Sequence, residues 1–176
     1  SKKAHISKKI YSWGVFAIIA SWAGDVLLMF QEYNGLFFIA GLGTFLMAHI
    51  GYTAIFLTQK GAKKNLIKFV LLANYALIMG YLILPKAGEL KIPVIAYIIA
   101  ISAMAYTAQI RKENVSKASY IAGIVGARLF LASDSLLALS MFLDHFPKLD
   151  FLVMLSYGLA QACIVYSLIY SAKTTT

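Results

Sequence analysis

Gly126–Leu139 reads GARLFLASDSLLAL, an arginine and an aspartate set into an otherwise apolar run. The run lies inside a longer proline-free block, residues 118–142, that is long enough to cross a hydrocarbon core of about 30 Å as a helix. Five more apolar blocks occur at about residues 10–30, 35–58, 66–84, 92–110 and 151–170. Each is about twice the length of a barrel strand, and a lipid interior requires backbone hydrogen bonds to close within the segment. The blocks therefore predict helices. Of the 176 residues, 61% are hydrophobic and 13% charged, where a soluble domain has about half and a quarter. The expected class is all-α: a single integral membrane domain over residues 1–176, a polytopic transmembrane bundle with six spans.

The formal charge of +9 does not describe a nucleic-acid surface. The lysines gather in short clusters between apolar blocks, and no basic helix alternates with aromatics. Lys2, Lys3, Lys8, Lys9, Lys60, Lys63, Lys64, Lys68, Arg111, Lys112, Lys117 and Lys173 fall on one side of the alternating spans. Only Lys86, Lys91 and Lys148 fall on the other. The bias predicts both termini in the cytoplasm, and short loops on a simple basic chain suit a bacterial inner membrane. The opening SKKAHISKK has the charge of a signal peptide, but the run after it includes Asp25, continues to about Phe30 and offers no small-residue cleavage site. A retained first span is expected. Cys163 is the single cysteine and predicts a small packed hydrophobe.

Charges inside spans are the functional signal. Asp25 lies 15 residues beyond Ile10 and Asp134 lies 16 beyond Ala118, which puts both about 23 Å along their helices. Arg128 falls about 9 Å below Asp134 on the same rise, close to mid-membrane. An intramembrane charge costs about 2.5 kcal/mol or more, so these three side chains should face one another or a wet cavity. Small residues flank them: Gly14, Ala17, Ser21 and Gly24 beside Asp25, and Gly123, Ala127 and Ala138 on the face of Asp134. Such faces let helices approach closely, and the geometry is compatible with convergent carboxylates. The bland alternative is that Arg128 neutralises one aspartate as a packing device; a second, unpaired carboxylate is harder to explain that way. GDVLLM and SDSLLAL share a small residue, Asp and a Leu-Leu pair, too few residues to establish a duplication.

Other polar candidates are His49, Asn74, Tyr157 and Gln161, each read as lining a pocket or as bridging helices. His5 and His145 carry no signal. A metal site built from Asp25, Asp134 and His49 is disfavoured, because the depth estimate puts His49 nearer the cytoplasmic end of its helix. No H-E-x-x-H motif, cysteine cluster or carboxylate loop supports one, and no metal or cofactor is expected. The chain also lacks a phosphate-binding glycine loop and a G-x-S-x-G elbow, which removes ATPase and serine-hydrolase readings.

The pieces SWAGDVLLM (residues 21–29), GLGTFLMAHIGYTAIF (41–56), GARLFLASDSLLAL (126–139) and SYGLAQACIVYS (156–167) together resemble the YhhN-like membrane proteins, the lysoplasmalogenase family. The match runs from the first span to the last in the family's order. The resemblance implies a membrane hydrolase that cleaves the vinyl-ether bond of lysoplasmalogens, giving a fatty aldehyde and a glycerophospho-base. It implies a catalytic pair at Asp25 and Asp134, the Gly-Asp and Ser-Asp aspartates, and matches the family's A-H-x-x-Y histidine to His49. Members usually have about eight spans, two of them before the Gly-Asp helix. This chain is thus either a short member or one without that pair, and in the latter case part of a pocket wall is absent.

The chemistry fits on its own terms. A vinyl ether yields to acid through an oxocarbenium ion, and needs a proton donor, a nearby anion and one held water, as in two-carboxylate glycosidases. Two aspartates close together in a dry site can leave one carboxyl protonated and the other charged. Asp134 is the expected acid and Asp25 the base or electrostatic stabiliser. Arg128 would set the split or bind a substrate phosphate, and His49, Tyr157 and Gln161 would place water or headgroup. The partners implied are a lysophospholipid or other amphiphile and membrane lipid, with no nucleic acid. The rival reading is a proton-coupled transporter using the same carboxylates. It is weakened because Pro85, Pro93 and Pro147 lie near span ends rather than breaking helices at mid-depth. A purely structural protein would tolerate Asp→Asn at either position.

Overall fold

The computed structural model describes residues 7–61, 66–143 and 147–171, and of 147 and 148 the backbone. His5 and His145, the lysines at 2, 3, 63, 64 and 173 and the side chain of Lys148 lie outside the described residues. The elements are α1 (Lys8–Met29), α2 (Gly35–Thr58), α3 (Leu66–Ile83), a short 3₁₀ turn at Gly88–Leu90, α4 (Lys91–Gln109), α5 (Lys117–Phe142) and α6 (Pro147–Ile169). All six α-helices are long and apolar enough to cross a membrane, and no strand occurs among the described residues. The architecture is an all-α helical bundle in an integral membrane protein.

Local chemistry sets the ends. The Asn34 side chain accepts from the Leu36 amide at 2.9 Å, and Ser116 accepts from the Ser119 amide at 3.1 Å. Both satisfy donors that have no partner within their own helix. Pro93 sits in the first turn of α4 and Pro147 opens α6, positions that need no amide hydrogen. This is why α6 begins four residues before the apolar block that announced it.

α1, α3 and α5 start at one end of the bundle, the near end, and the other three start at the far end. α1 packs on α2, α2 on α4, α4 on α5, α5 on α6, and α6 touches α1, so five helices close a ring. α3 lies outside it against α4 and α5. The tightest seams need glycine. A Cβ on Gly24 would stand 2.6 Å from the Phe45 ring, and one on Gly126 would stand 2.9 Å from the Ala160 carbonyl oxygen of α6. Small residues draw these helices together where apolar attraction between helices and lipid gives little preference. Phe45, Tyr52, Phe56, Met104, Phe130 and Ile164 fill the ring. Outward faces carry exposed Trp22, Ile67, Ile78, Ile92, Phe151 and Met154, the distribution expected of a surface solvated by lipid.

Candidate active site

Asp134 lies on α5, about 12 Å short of its far end at Phe142. The Tyr97 hydroxyl on α4 donates to Asp134 Oδ2 at 2.5 Å, and His49 Nε2 on α2 lies 3.1 Å from the same oxygen. His49 Nε2 and the Tyr97 hydroxyl are 3.0 Å apart. Three helices thus bring three polar tips into one triangle. His49 is fully buried, and its Nδ1 has no partner among the described residues. An unpaired buried acceptor is tolerated better than an unpaired N–H, so the network assigns the hydrogen to Nε2, which donates toward Asp134.

Simple depth counting separated His49 from Asp134, and the structure corrects it. α2 and α5 are about 36 and 39 Å long, more than a membrane's hydrocarbon thickness, so neither need stand upright. Side chains also lean toward the N-terminus of their helix. α2 starts at the far end and α5 at the near end, so the His49 and Asp134 side chains lean toward each other. Tyr97 carried no signal in the sequence: it is one tyrosine among eleven, and only the rotation of α4 singles it out.

Asp134 and Tyr97 line a partly open cavity among the helices. Its walls are apolar: Phe38, Leu42 and Phe45 from α2, Met79 and Ile83 from α3, Val94, Ile98 and Ile101 from α4, Ala138 and Phe142 from α5. Tyr75 and Ser135 add hydroxyls beside Asp134 and hydrogen-bond each other. The lining is nearly all hydrocarbon with its polar groups gathered around Asp134, a form suited to an amphiphile or an alkyl chain.

Asp25 belongs to a second network. Tyr157 of α6 donates to Asp25 Oδ2 at 2.9 Å, Gln161 Nε2 donates to the Tyr157 hydroxyl at 3.2 Å, and Tyr52 donates to Gln161 Oε1 at 2.5 Å. Phe130 stands between the two sets, with ring centroids 4.8 Å from His49 and 5.3 Å from Tyr157, both edge-on. No hydrogen bond among the described residues joins the carboxyl groups of Asp25 and Asp134. The two aspartates thus share the bundle interior with separate hydrogen-bond partners and no direct bond between them. The small face of α1 explains the difference, since Gly14, Ala17, Ser21 and Gly24 are buried in a helix that packs chiefly on α2 rather than on α5.

Two further candidates fall elsewhere. Arg128 is exposed on the outer face of α5, and the described residues place no ion pair on it; neither neutralising an aspartate nor reaching the cavity is open to it there. The helical turn between Arg128 and Asp134 rotates them to different faces. Asn74 is likewise exposed on α3, while its neighbour Tyr75 takes the inward position. Tyr157 and Gln161 are brought together as their one-turn spacing suggests, around Asp25 rather than in the cavity lining.

Among the described residues the fully buried cation is Arg111, in the loop after α4, which sequence reading grouped with the loop charges. Its Nε donates to Gln59 Oε1 at 2.9 Å, one terminal nitrogen to Ser167 Oγ at 2.9 Å and the other to Ser119 Oγ at 3.1 Å. The guanidinium carbon sits 4.6 Å from the centre of the Phe56 ring. Burial pushes its pKa down to about 10, which leaves it charged at neutral pH. Gly123 makes the room: a Cβ there would stand 2.3 Å from an Arg111 nitrogen. No group of three or more His, Cys, Asp or Glu among the described residues could hold a metal ion.

A helical integral membrane protein with ionisable side chains gathered beside an apolar cavity is the class that fold and geometry define together. Within that class the chain belongs to the YhhN family, whose model matches residues 3–168. It is similar to the proteins named lysoplasmalogenase from Mycobacterium bovis and Mycobacterium tuberculosis, 31% identical to each over 169 residues. The alignment takes in 92% of this chain but 62% of either relative's length. No solved structure matches it.

Proposed function

We propose that this protein is a lysoplasmalogenase-type hydrolase, cleaving the vinyl-ether bond of a lysoplasmalogen to a fatty aldehyde and a glycerophospho-base. The observation that carries the reading is Asp134, an ionisable carboxyl set among hydrocarbon walls with one face on the cavity. In the reaction, protonated Asp134 gives its proton to the alkene carbon remote from the ether oxygen, and the double bond's electron pair forms the new C–H bond. The oxocarbenium ion left behind takes water at the carbon bearing oxygen, and the water's proton returns to Asp134. The resulting hemiacetal moves its hydroxyl proton to the ether oxygen and parts into aldehyde and alcohol. Atoms balance with one water consumed and Asp134 restored.

Asp25 supports this as the second carboxylate, an anion placed to favour the cation through space and to hold the Tyr157–Gln161 side of the bundle. His49 and Tyr97 hold Asp134. The apolar walls accept the alkyl chain, which accounts for placing such chemistry in a membrane. With both termini cytoplasmic, as the lysine distribution supports, the far end, where Phe38 and Met141 line the cavity, would face away from the cytoplasm. Continuous α-helices favour hydrolysis over carriage, since carriers build their sites from broken helices.

The test is aldehyde release from lysoplasmalogen by the purified protein in detergent, for wild type, Asp134→Asn and Asp25→Asn. Wild type should turn over and Asp134→Asn should not. A wild type inert toward every vinyl-ether lipid ends the proposal, and uptake into proteoliposomes lost on the same substitutions would point to the carrier instead.

A further inference from the structure

Both hydrogen bonds to Asp134 end on one oxygen. Tyr97 and His49 meet at Oδ2, while Oδ1 accepts none from the described residues. The side chain keeps 12% of its surface exposed and lines the cavity. A carboxyl group holding a proton carries it on one oxygen and uses the other as a carbonyl acceptor. Two donors fixed on Oδ2 make that oxygen the acceptor, so the proton belongs on Oδ1, the oxygen with no protein partner. A freely rotating carboxyl would offer either oxygen in several directions; this one is held in a single orientation.

We propose that Tyr97 is a positioning residue that, together with His49, locks Asp134 through Oδ2 so that Oδ1 alone presents its proton to the cavity. This rests on the hydrolase reading for its kinetic consequence, but the geometric part stands without a substrate. Tyr97 is suited to the task. Its hydroxyl reaches Asp134 at 2.5 Å, and its ring stacks edge-on against His49 at 5.1 Å between centroids, so the two donors hold each other in place. The ring is packed against the core of the bundle, which makes the hydroxyl a fixed donor rather than a rotating one. Tyr75 and Ser135 are occupied with each other and leave Tyr97 and His49 as the groups that hold the carboxyl. Pre-setting the donor in this way removes reorientation from the reaction step, and lost alignment lowers turnover rather than binding.

Tyr97→Phe removes one oxygen and keeps the ring. Two measurements on the purified protein test the idea. One is kinetic: kcat should fall about tenfold, with KM within about twofold, because an interaction serving the transition state alone is lost. The other is the infrared carboxyl band of Asp134, identified by its disappearance in Asp134→Asn and recorded without substrate. In Tyr97→Phe it should move to the frequency of a less hydrogen-bonded carbonyl. An unmoved band and unchanged kcat overturn the proposal, as does a rise in KM alone. Should wild type release no aldehyde while the band still shifts, the hydrolase reading fails and the locked carboxyl stands. If Tyr97→Phe does not fold, 3-fluorotyrosine at position 97 leaves packing nearly intact and alters the hydroxyl's donor strength; a band that ignores it counts against the proposal equally.

Discussion

Asp134 and Arg111 are both ionised-type side chains carried into the protein interior and met by polar groups from other helices, yet they are built to opposite ends. Every nitrogen of Arg111 has a neutral partner, an aromatic ring lies against the guanidinium, and no surface remains exposed. Asp134 has one oxygen bound twice, the other accepts no hydrogen bond from the described residues, and the side chain lines the cavity. The first arrangement ties the end of α2 to α5 and α6 and offers nothing to a ligand. The second leaves part of a reactive group unspent beside a cavity. A buried charge alone is therefore a poor guide to chemistry; the guide is a buried charge with capacity left over and room next to it. Arg128, with charge but no enclosure, completes the contrast.

Four substitutions can break or sharpen this comparison. The largest effect is expected at the open site: Asp134→Asn should cut aldehyde release by about 100-fold or more, the scale of a lost general acid, with the thermal unfolding midpoint little changed. The sealed site should answer in the other currency. Arg111→Met leaves Gln59, Ser119 and Ser167 without their shared donor and should cost about 2 kcal/mol or more of stability, seen as earlier unfolding in detergent, while the activity of the folded fraction persists. Asp25→Asn should lower turnover by about tenfold, less than Asp134→Asn, since an electrostatic contribution is lost but no proton donor. If the two asparagine variants fall equally, the separation of the networks by Phe130 has no functional meaning. Arg128→Gln should change activity by less than about twofold and stability by about 0.5 kcal/mol or less. A collapse of activity there would return Arg128 to the site and undo the contrast.

Much of this was legible before any coordinates. SWAGDVLLM and GARLFLASDSLLAL announced two intramembrane aspartates, and the A-H-x-x-Y piece supplied the histidine that now stands beside Asp134. The spacing of Tyr157 and Gln161 on one helix face was enough to pair them. What could not be read was which groups meet across helices. Asn74 and Arg128 drew notice as polar groups inside spans, yet both face outward, because a membrane helix that is apolar nearly all round gives no pattern from which to read its rotation. Tyr97 had no chance of notice for the same reason.

The amino-acid sequence by itself determined six membrane-length helices, their order, the short connections that make successive helices antiparallel, and the presence of carboxylates between them. These follow from run length and composition, properties that can be counted along one dimension. Tertiary structure alone decided that Asp134 joins His49 and Tyr97, that Asp25 joins Tyr157, that Arg111 is enclosed and that Arg128 is not. Those outcomes depend on helix tilt and rotation, which glycine contacts such as Gly24 against Phe45 and Gly126 against Ala160 set through close packing, and which no count of apolar residues contains.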